Sequence, residues 1–147
     1  MRILEVLTPK RLRGNLGERA AARFLRLRGY RIVGRNCVID GVGEIDLVAA
    51  KRGLTVIVEV KTRSVGSLRE GERPAMAVTR EKQRRLLLAG SVYKGRHRRD
   101  TRLRYDVVEV YTDTVRKRER VVDIKHLESA FDVSASKGPR GKSFTVL

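Results

Sequence analysis

Apolar residues recur at helical spacing in two stretches of the chain. The first covers residues 15–28, where one stripe combines Leu16, Ala20, Phe24 and Leu27, widened by Ala21 and Leu25. Gly29 follows directly and is typical of a helix end. The second stretch covers residues 79–94, with Thr79 in the N-cap position and Gly95 beyond the last turn. The pattern therefore predicts two amphipathic helices.

Alternating and continuous apolar runs predict five strands, at residues 30–39, 43–50, 54–62, 104–111 and 120–125. The dipeptide Arg52-Gly53 separates the second and third strands as a two-residue hairpin turn. The element order is helix, three-strand meander, helix, strand, strand. This order is typical of an α/β fold in which helices flank a mixed central sheet. We expect one folded domain at residues 14–131, an N-terminal extension at 1–13 and a flexible basic C-terminal tail at 132–147.

Charge points to the class of partner. The chain carries 34 Lys and Arg against 17 Asp and Glu, a formal net charge of +17. Such an excess favours a polyanion, most simply nucleic acid, over an acidic membrane surface. Aromatic residues make up only 5%, which disfavours a stacking platform for single-stranded bases. A single cysteine, with no signal peptide and no apolar run of membrane length, predicts a cytoplasmic protein.

The hairpin around Arg52-Gly53 carries the candidate chemistry. If these two residues form the whole turn, Asp46 lies directly opposite Glu59, and Glu44 lies opposite Lys61. Side chains at directly opposed positions are separated by roughly 5 Å, so the two acids can share a divalent cation such as Mg²⁺. A slip of one residue in register would move Asp46 to the opposite face.

A lysine two residues after a metal-binding glutamate has a defined use. Lys61 would lie beside the metal, where it can orient a water or neutralise charge on a phosphoryl transition state. The alternative is a surface ion pair between Glu44 and Lys61 beside two solvated acids, which contributes little. The apolar run at residues 55–58 indicates a central strand and favours the metal site.

Glu18 and several basic residues have two interpretations each. With Asn15, Glu18 has the spacing of a capping box, and it also has the acidity to join the carboxylate cluster. The basic start of the second helix opposes the helix dipole unless phosphate binds there. The loop at residues 96–102 either grips phosphate or is simply solvated. The predicted nucleic-acid contacts are Arg19, Arg63, Arg80, Lys82, Gln83 and Arg84.

The motifs GNLGERAA at 14–21, GEIDLVA at 43–49 and VEVKTR at 58–63 closely resemble the bacterial YraN family of predicted endonucleases. The resemblance extends to about residue 131. It implies a restriction-endonuclease-like fold of the PD-(D/E)xK superfamily, similar to archaeal Holliday junction resolvases. It also implies Asp46 as metal-binding aspartate, Glu59 and Lys61 as the ExK pair, and Glu18 as the helix-borne acid. Ile45 replaces the proline of the superfamily motif.

The leading hypothesis is a Mg²⁺- or Mn²⁺-dependent endonuclease acting on DNA, in which Asp46 and Glu59 bind the metal and Glu18, Asp46, Glu59 and Lys61 are the catalytic set. Branched DNA follows only from the resolvase resemblance. A homodimer would then follow, because two symmetric cuts require two sites related by a twofold axis. The alternatives are a non-catalytic nucleic-acid-binding module with the same fold and an RNA- or ribosome-associated basic protein.

Overall fold

A five-stranded mixed sheet carries one long helix on each face. The computed structural model describes residues 9–67 and 78–132. In chain order the elements are α1 (Pro9–Leu27), β1 (Arg31–Ile39), β2 (Gly43–Lys51), β3 (Leu54–Ser64), a 3-10 turn (Val65–Ser67), α2 (Arg80–His97), β4 (Arg102–Val115) and β5 (Arg118–Leu127). The strand order is β1-β2-β3-β4-β5, antiparallel throughout except for the parallel pair β3 and β4. The predicted α/β fold with a mixed, helix-flanked sheet is confirmed, and it is consistent with a restriction-endonuclease-like architecture.

The two faces of the sheet bury separate hydrophobic clusters. Strand residues alternate between the faces, so Val56 and Val58 of β3 pack on the α1 side and Ile57 on the α2 side. The α1 contribution is Ala21, Ala22 and Leu25, and the main α2 contribution is Leu86, Ala89 and Tyr93. Because both faces of β3 are covered, its continuous apolar run is that of a central strand, as predicted.

The β2–β3 hairpin has the predicted turn and register. Arg52 and Gly53 adopt φ angles of 46° and 71°, and positive values at both central residues of a two-residue loop match the twist of paired strands. The ladder runs from Lys51 opposite Leu54 to Leu47 opposite Val58. This register directs Asp46 towards Glu59.

Helix α1 differs from the prediction in its start and in its buried face. It begins at Pro9, so Asn15 lies inside the helix and cannot cap it, and the predicted capping box with Glu18 is wrong. The face of α1 that is buried also differs from the predicted apolar stripe. Ala21 and Leu25 are fully buried, whereas Leu27 is 79% exposed.

Helix α2 has the predicted cap and a later end. Thr79 is the N-cap, and its side chain accepts a hydrogen bond from the backbone N–H of Lys82 at 3.2 Å. The helix continues through Gly95 to His97, so the predicted end before Gly95 is wrong.

Neither helix in the described ranges is long and apolar enough to cross a membrane. Most of the predicted C-terminal tail at 132–147 and most of the predicted N-terminal extension at 1–13 lie outside the described residues.

Candidate metal centre

Asp46 and Glu59 lie side by side where β2 and β3 separate. Beyond the Leu47–Val58 pair the regular ladder stops, and Asp46 Oδ2 accepts a hydrogen bond from the backbone N–H of Val60 at 2.9 Å. The carboxylate therefore replaces a main-chain acceptor and is held against β3. This places it next to the Glu59 carboxyl group, with which it interacts directly.

The environment of Asp46 disfavours its charged form. Burial and, next in size, the charge of the adjacent Glu59 carboxylate together raise the pKa of Asp46 to about 7. The hydrogen bond from Val60 opposes it and does not cancel it. Two acids forced together in this way are suited to sharing a cation, because a bound positive charge stabilises both in ionised form.

Glu59 is buried, and only one of its two carboxylate oxygens has a partner. The residue is 2% exposed, and its Oε1 lies 2.5 Å from Lys82 Nζ and 3.3 Å from Lys61 Nζ. Its Oε2 is buried with no hydrogen-bond partner. A buried acceptor left without a partner costs about 1–3 kcal/mol, and more when the group is charged. This unpartnered oxygen belongs to a carboxyl group that also interacts with Asp46, and it is therefore a candidate ligand for a metal ion.

Another buried acid of the same protein shows what a purely structural carboxylate looks like. Asp106 is fully buried, and both of its oxygens have partners. Arg104 donates to both oxygens at 2.8 and 2.7 Å, His126 Nε2 lies 2.7 Å from Oδ2, and the Ser129 N–H donates at 3.0 Å. Glu59 differs from this pattern by its free oxygen.

Lys82 belongs to the site, although the sequence predicts it as a nucleic-acid contact. Burial disfavours its ammonium group, but the hydrogen bond and the charge of Glu59 outweigh that effect and raise the pKa of Lys82. Helix α2 delivers this side chain to the sheet from the turn that Thr79 caps. Only the packing of α2 over β3 reveals this contact, so no local sequence signal identifies it.

Glu18 reaches the edge of the same cluster from α1. A Cβ on Gly17 would lie 1.8 Å from Thr62 Oγ1 and 3.1 Å from Thr62 Cβ, so a larger residue there would force Thr62 or the helix to move. Asn36, with its amide nitrogen turned inward, donates to Glu18 Oε2 and Glu44 Oε1 at 3.2 Å each. Burial raises the pKa of Glu18, the hydrogen bond from Asn36 lowers it, and the charges of Glu44 and Glu59 raise it again. Asn36 was missed as a site residue.

The predicted pairing of Glu44 with Lys61 is wrong. Ile45 and Val48 both pack on the α2 side although they are three residues apart, so the alternation of β2 breaks between them. Glu44 consequently lies with Asn36, and the ion pair of Lys61 is with Glu59 in its own strand. The arrangement of the acids at this site therefore depends on the break in the alternation of β2 as well as on the β2–β3 register.

The donor set fits a cation that keeps much of its hydration. Within the described ranges, no group of three or more His, Cys, Asp or Glu side chains is arranged to hold a metal ion. Asp46 and Glu59 would supply one carboxylate each. Mg²⁺ is commonly bound by one or two carboxylates, with water and substrate phosphate completing the octahedron.

The remaining predicted nucleic-acid contacts fall in two places. Arg80 and Arg84 are exposed on the first turns of α2, and Arg63 is exposed near the end of β3. Gln83 donates to the carbonyl of Val78 at 3.0 Å, while its Oε1 is buried without a partner. Arg19 is elsewhere, beside an apolar groove between α1 and β5. The structure therefore groups four of these five residues on or near the α2 side of the carboxylate pair.

The fold and the site define a class: a mixed α/β protein of restriction-endonuclease-like architecture with a buried acidic pair beside two lysines. The family model described as "Uncharacterised protein family UPF0102" matches residues 17–110. A UPF0102 protein of Symbiobacterium thermophilum is 48% identical over 101 residues, covering 66% of this chain and 80% of that protein. Another, from Caldicellulosiruptor saccharolyticus, is 39% identical over 123 residues, covering 83% of this chain and 98% of that protein. The chain belongs to the UPF0102 family.

Proposed function

We propose that this protein is a divalent-metal-dependent endonuclease that hydrolyses phosphodiester bonds in DNA. The observation that carries the proposal is the unpartnered, buried Oε2 of Glu59 beside Asp46. A net charge of +17 supports a polyanionic substrate, and an acidic pair within so basic a protein is unfavourable for phosphate binding unless a cation joins it. The single cysteine fits a reducing compartment such as the cytoplasm.

Each residue of the site has a role in this proposal. Asp46 and Glu59 hold Mg²⁺ or Mn²⁺, which when bound polarises a phosphate oxygen and favours ionisation of the attacking water. Lys61 places its ammonium group beside Glu59, where it stabilises negative charge on the phosphate during attack. Glu18 acts as a positioning residue, because its hydrogen bond with Asn36 keeps the edge of the cluster in place.

The DNA backbone contacts are proposed for the α2 side of the site. Arg80 and Arg84 lie in the first turns of the helix, where the helix dipole adds to the attraction for phosphate. Arg63 follows Glu59 by four residues in β3, and Gln83 is next to Lys82 in α2, so both are further candidates for backbone contacts. Branched DNA as substrate, and a homodimer that cuts it symmetrically, rest on the resemblance to resolvases alone.

A specific observation also favours a second candidate, a nucleic-acid-binding module without catalysis. The ammonium groups of Lys61 and Lys82 both contact Glu59 Oε1 and already compensate its charge. Under this alternative the lysines stabilise the buried acid permanently and no metal is needed. Binding would then be indifferent to divalent ions.

Cleavage assays separate the two candidates. Duplex, single-stranded and four-way DNA are incubated with the full chain in Mg²⁺, Mn²⁺ or EDTA, alongside Glu59→Gln. Glu81→Gln is the matched control, because Glu81 is an exposed acid of α2 whose side chain is 82% exposed. The nuclease proposal expects metal-dependent cleavage that Glu59→Gln abolishes and Glu81→Gln retains. Tight binding without cleavage of any substrate supports the binding module, and equal activity of Glu59→Gln and wild type refutes the assigned site.

A further inference from the structure

An open apolar groove runs between α1 and the edge strand β5. Its volume is about 520 Å³, and its lining combines apolar side chains of both elements with two arginines: Leu16, Arg19, Ala20, Arg23, Phe24, Leu27, Val121 and Ile124. The apolar members on α1 are the stripe whose spacing predicts burial. Leu16, Ala20 and Phe24 are only partly buried, and within the described part of the chain Leu27 is left 79% exposed.

The walls of the groove are built by specific local features. In β5 the pairing shifts between Asp123 and Val121, which leaves Val122 as an extra residue. Such a bulge lets residues three apart share a face, and so Val121 and Ile124 both line the α1 side. On the other wall, the Phe24 ring meets His126 edge-on, with ring centroids 6.1 Å apart. The groove is therefore formed without a ligand.

The charge of the rim and the apolar lining together restrict which ligands the groove can bind. Arg19 and Arg23 are exposed and border the groove, so the rim attracts carboxylates. Nucleic acid would satisfy the arginines and leave Leu27 uncovered, whereas Phe24 already has the Arg28 guanidinium over its ring, 4.4 Å from the centroid. A second copy would bring one +17 chain against another and set this arginine rim against further basic surface.

We propose that this groove is the docking site for an acidic amphipathic segment of a partner protein. The partner's apolar side chains fill the space between Phe24, Leu27 and the two β5 residues, and its carboxylates pair with Arg19 and Arg23. Recognition of this kind uses apolar anchors at helical spacing and a charged flank. The proposal is independent of the endonuclease proposal, because none of the groove residues except Arg19 was assigned to nucleic acid and none is assigned to the metal pair.

The test uses synthetic fluorescent peptides of about 16 residues, long enough for four helical turns. One peptide places Leu and Phe on one face and Glu on the other, a second has the same composition with the pattern scrambled, and a third is poly-Glu of equal length. Anisotropy is measured with the wild-type chain, Leu27→Glu and Arg23→Glu. The controls are Leu88→Glu and Arg96→Glu on α2, where Leu88 is also an exposed apolar residue at 55%.

The patterned peptide should bind more tightly than the scrambled one and lose about tenfold in affinity with Leu27→Glu, since burial of a leucine side chain contributes at least that much. Arg23→Glu should also weaken it, and the two α2 controls should not. Equal binding of poly-Glu, or no effect of Leu27→Glu, would overturn the proposal. Concentration-dependent dimerisation that Leu27→Glu abolishes would also overturn it, because the groove would then bind a second copy of the chain. Duplex DNA binding that falls with Leu27→Glu and not with Leu88→Glu would overturn it too, because the groove would then bind nucleic acid.

Discussion

Replacing Asp46 with asparagine should remove most of the pH dependence of stability between about pH 4 and pH 7. In the folded chain the pKa of Asp46 is raised from 3.8 to about 7 by burial and by the neighbouring Glu59. Over this interval the unfolded chain has released a proton that the folded chain still holds. The free energy of unfolding therefore falls as pH rises from the lower value through the higher one.

The size of the effect follows from the same two values. A change in pKa from 3.8 to about 7 corresponds to a loss of up to about 4 kcal/mol across the interval. Asparagine keeps an oxygen that can accept the hydrogen bond from Val60 and has no proton to lose. The variant should therefore already be more stable than wild type near pH 5, and its advantage should grow by about 2–3 kcal/mol towards pH 8.

Urea unfolding followed by circular dichroism, from about pH 5 to about pH 8 in EDTA, measures this difference. Asp100→Asn is the matched control, because it removes the same charge from an exposed turn position. If the pair binds Mg²⁺, adding the ion near pH 8 should raise the stability of the wild type more than that of Asp46→Asn. Parallel pH profiles for wild type and Asp46→Asn would show that Asp46 does not titrate beside Glu59 as described.

The remaining predictions concern packing, a buried ion pair and substrate binding. Gly90→Ala should lower the free energy of unfolding by about 1–3 kcal/mol, because the added Cβ would lie 2.7 Å from the Tyr105 ring; an unchanged urea midpoint would contradict this close approach. Arg104→Gln should cost about 3–5 kcal/mol in the same assay, since it leaves the buried Asp106 charge undercompensated; a loss below 1 kcal/mol would refute that role. DNA affinity should fall steeply and linearly on a logarithmic salt scale, as phosphate contacts by a +17 chain require; a flat salt response in anisotropy titrations would exclude them.

The parts of the site that were predictable depend on local chemistry. Arg52-Gly53 indicates a two-residue turn, such a turn fixes register, and register carries Asp46 to Glu59. The fold class followed from the order of helical and alternating segments. These inferences need only the period of each element and the conformational preference of a turn.

The parts that were not predictable depend on irregularity or on tertiary packing. Strict alternation places Glu44 opposite Lys61, and the break between Ile45 and Val48 sends it to Asn36 instead. The ion pair of Lys82 with Glu59 requires knowledge of where α2 lies on the sheet. The apolar stripe of α1 indicated a buried face but could not show which part of it the sheet covers.

The two lysines that contact Glu59 bear on whether the chain needs a metal ion in order to fold. Both are counter-ions that belong to the chain: Lys61 lies in β3 with Glu59, and Lys82 reaches Glu59 when α2 packs on β3. In a structural zinc domain, folding waits for the metal because nothing else offsets the charge of the ligands. Here the chain supplies positive charge itself, so folding does not depend on the proposed divalent ion, and binding of that ion would be a separate, reversible step.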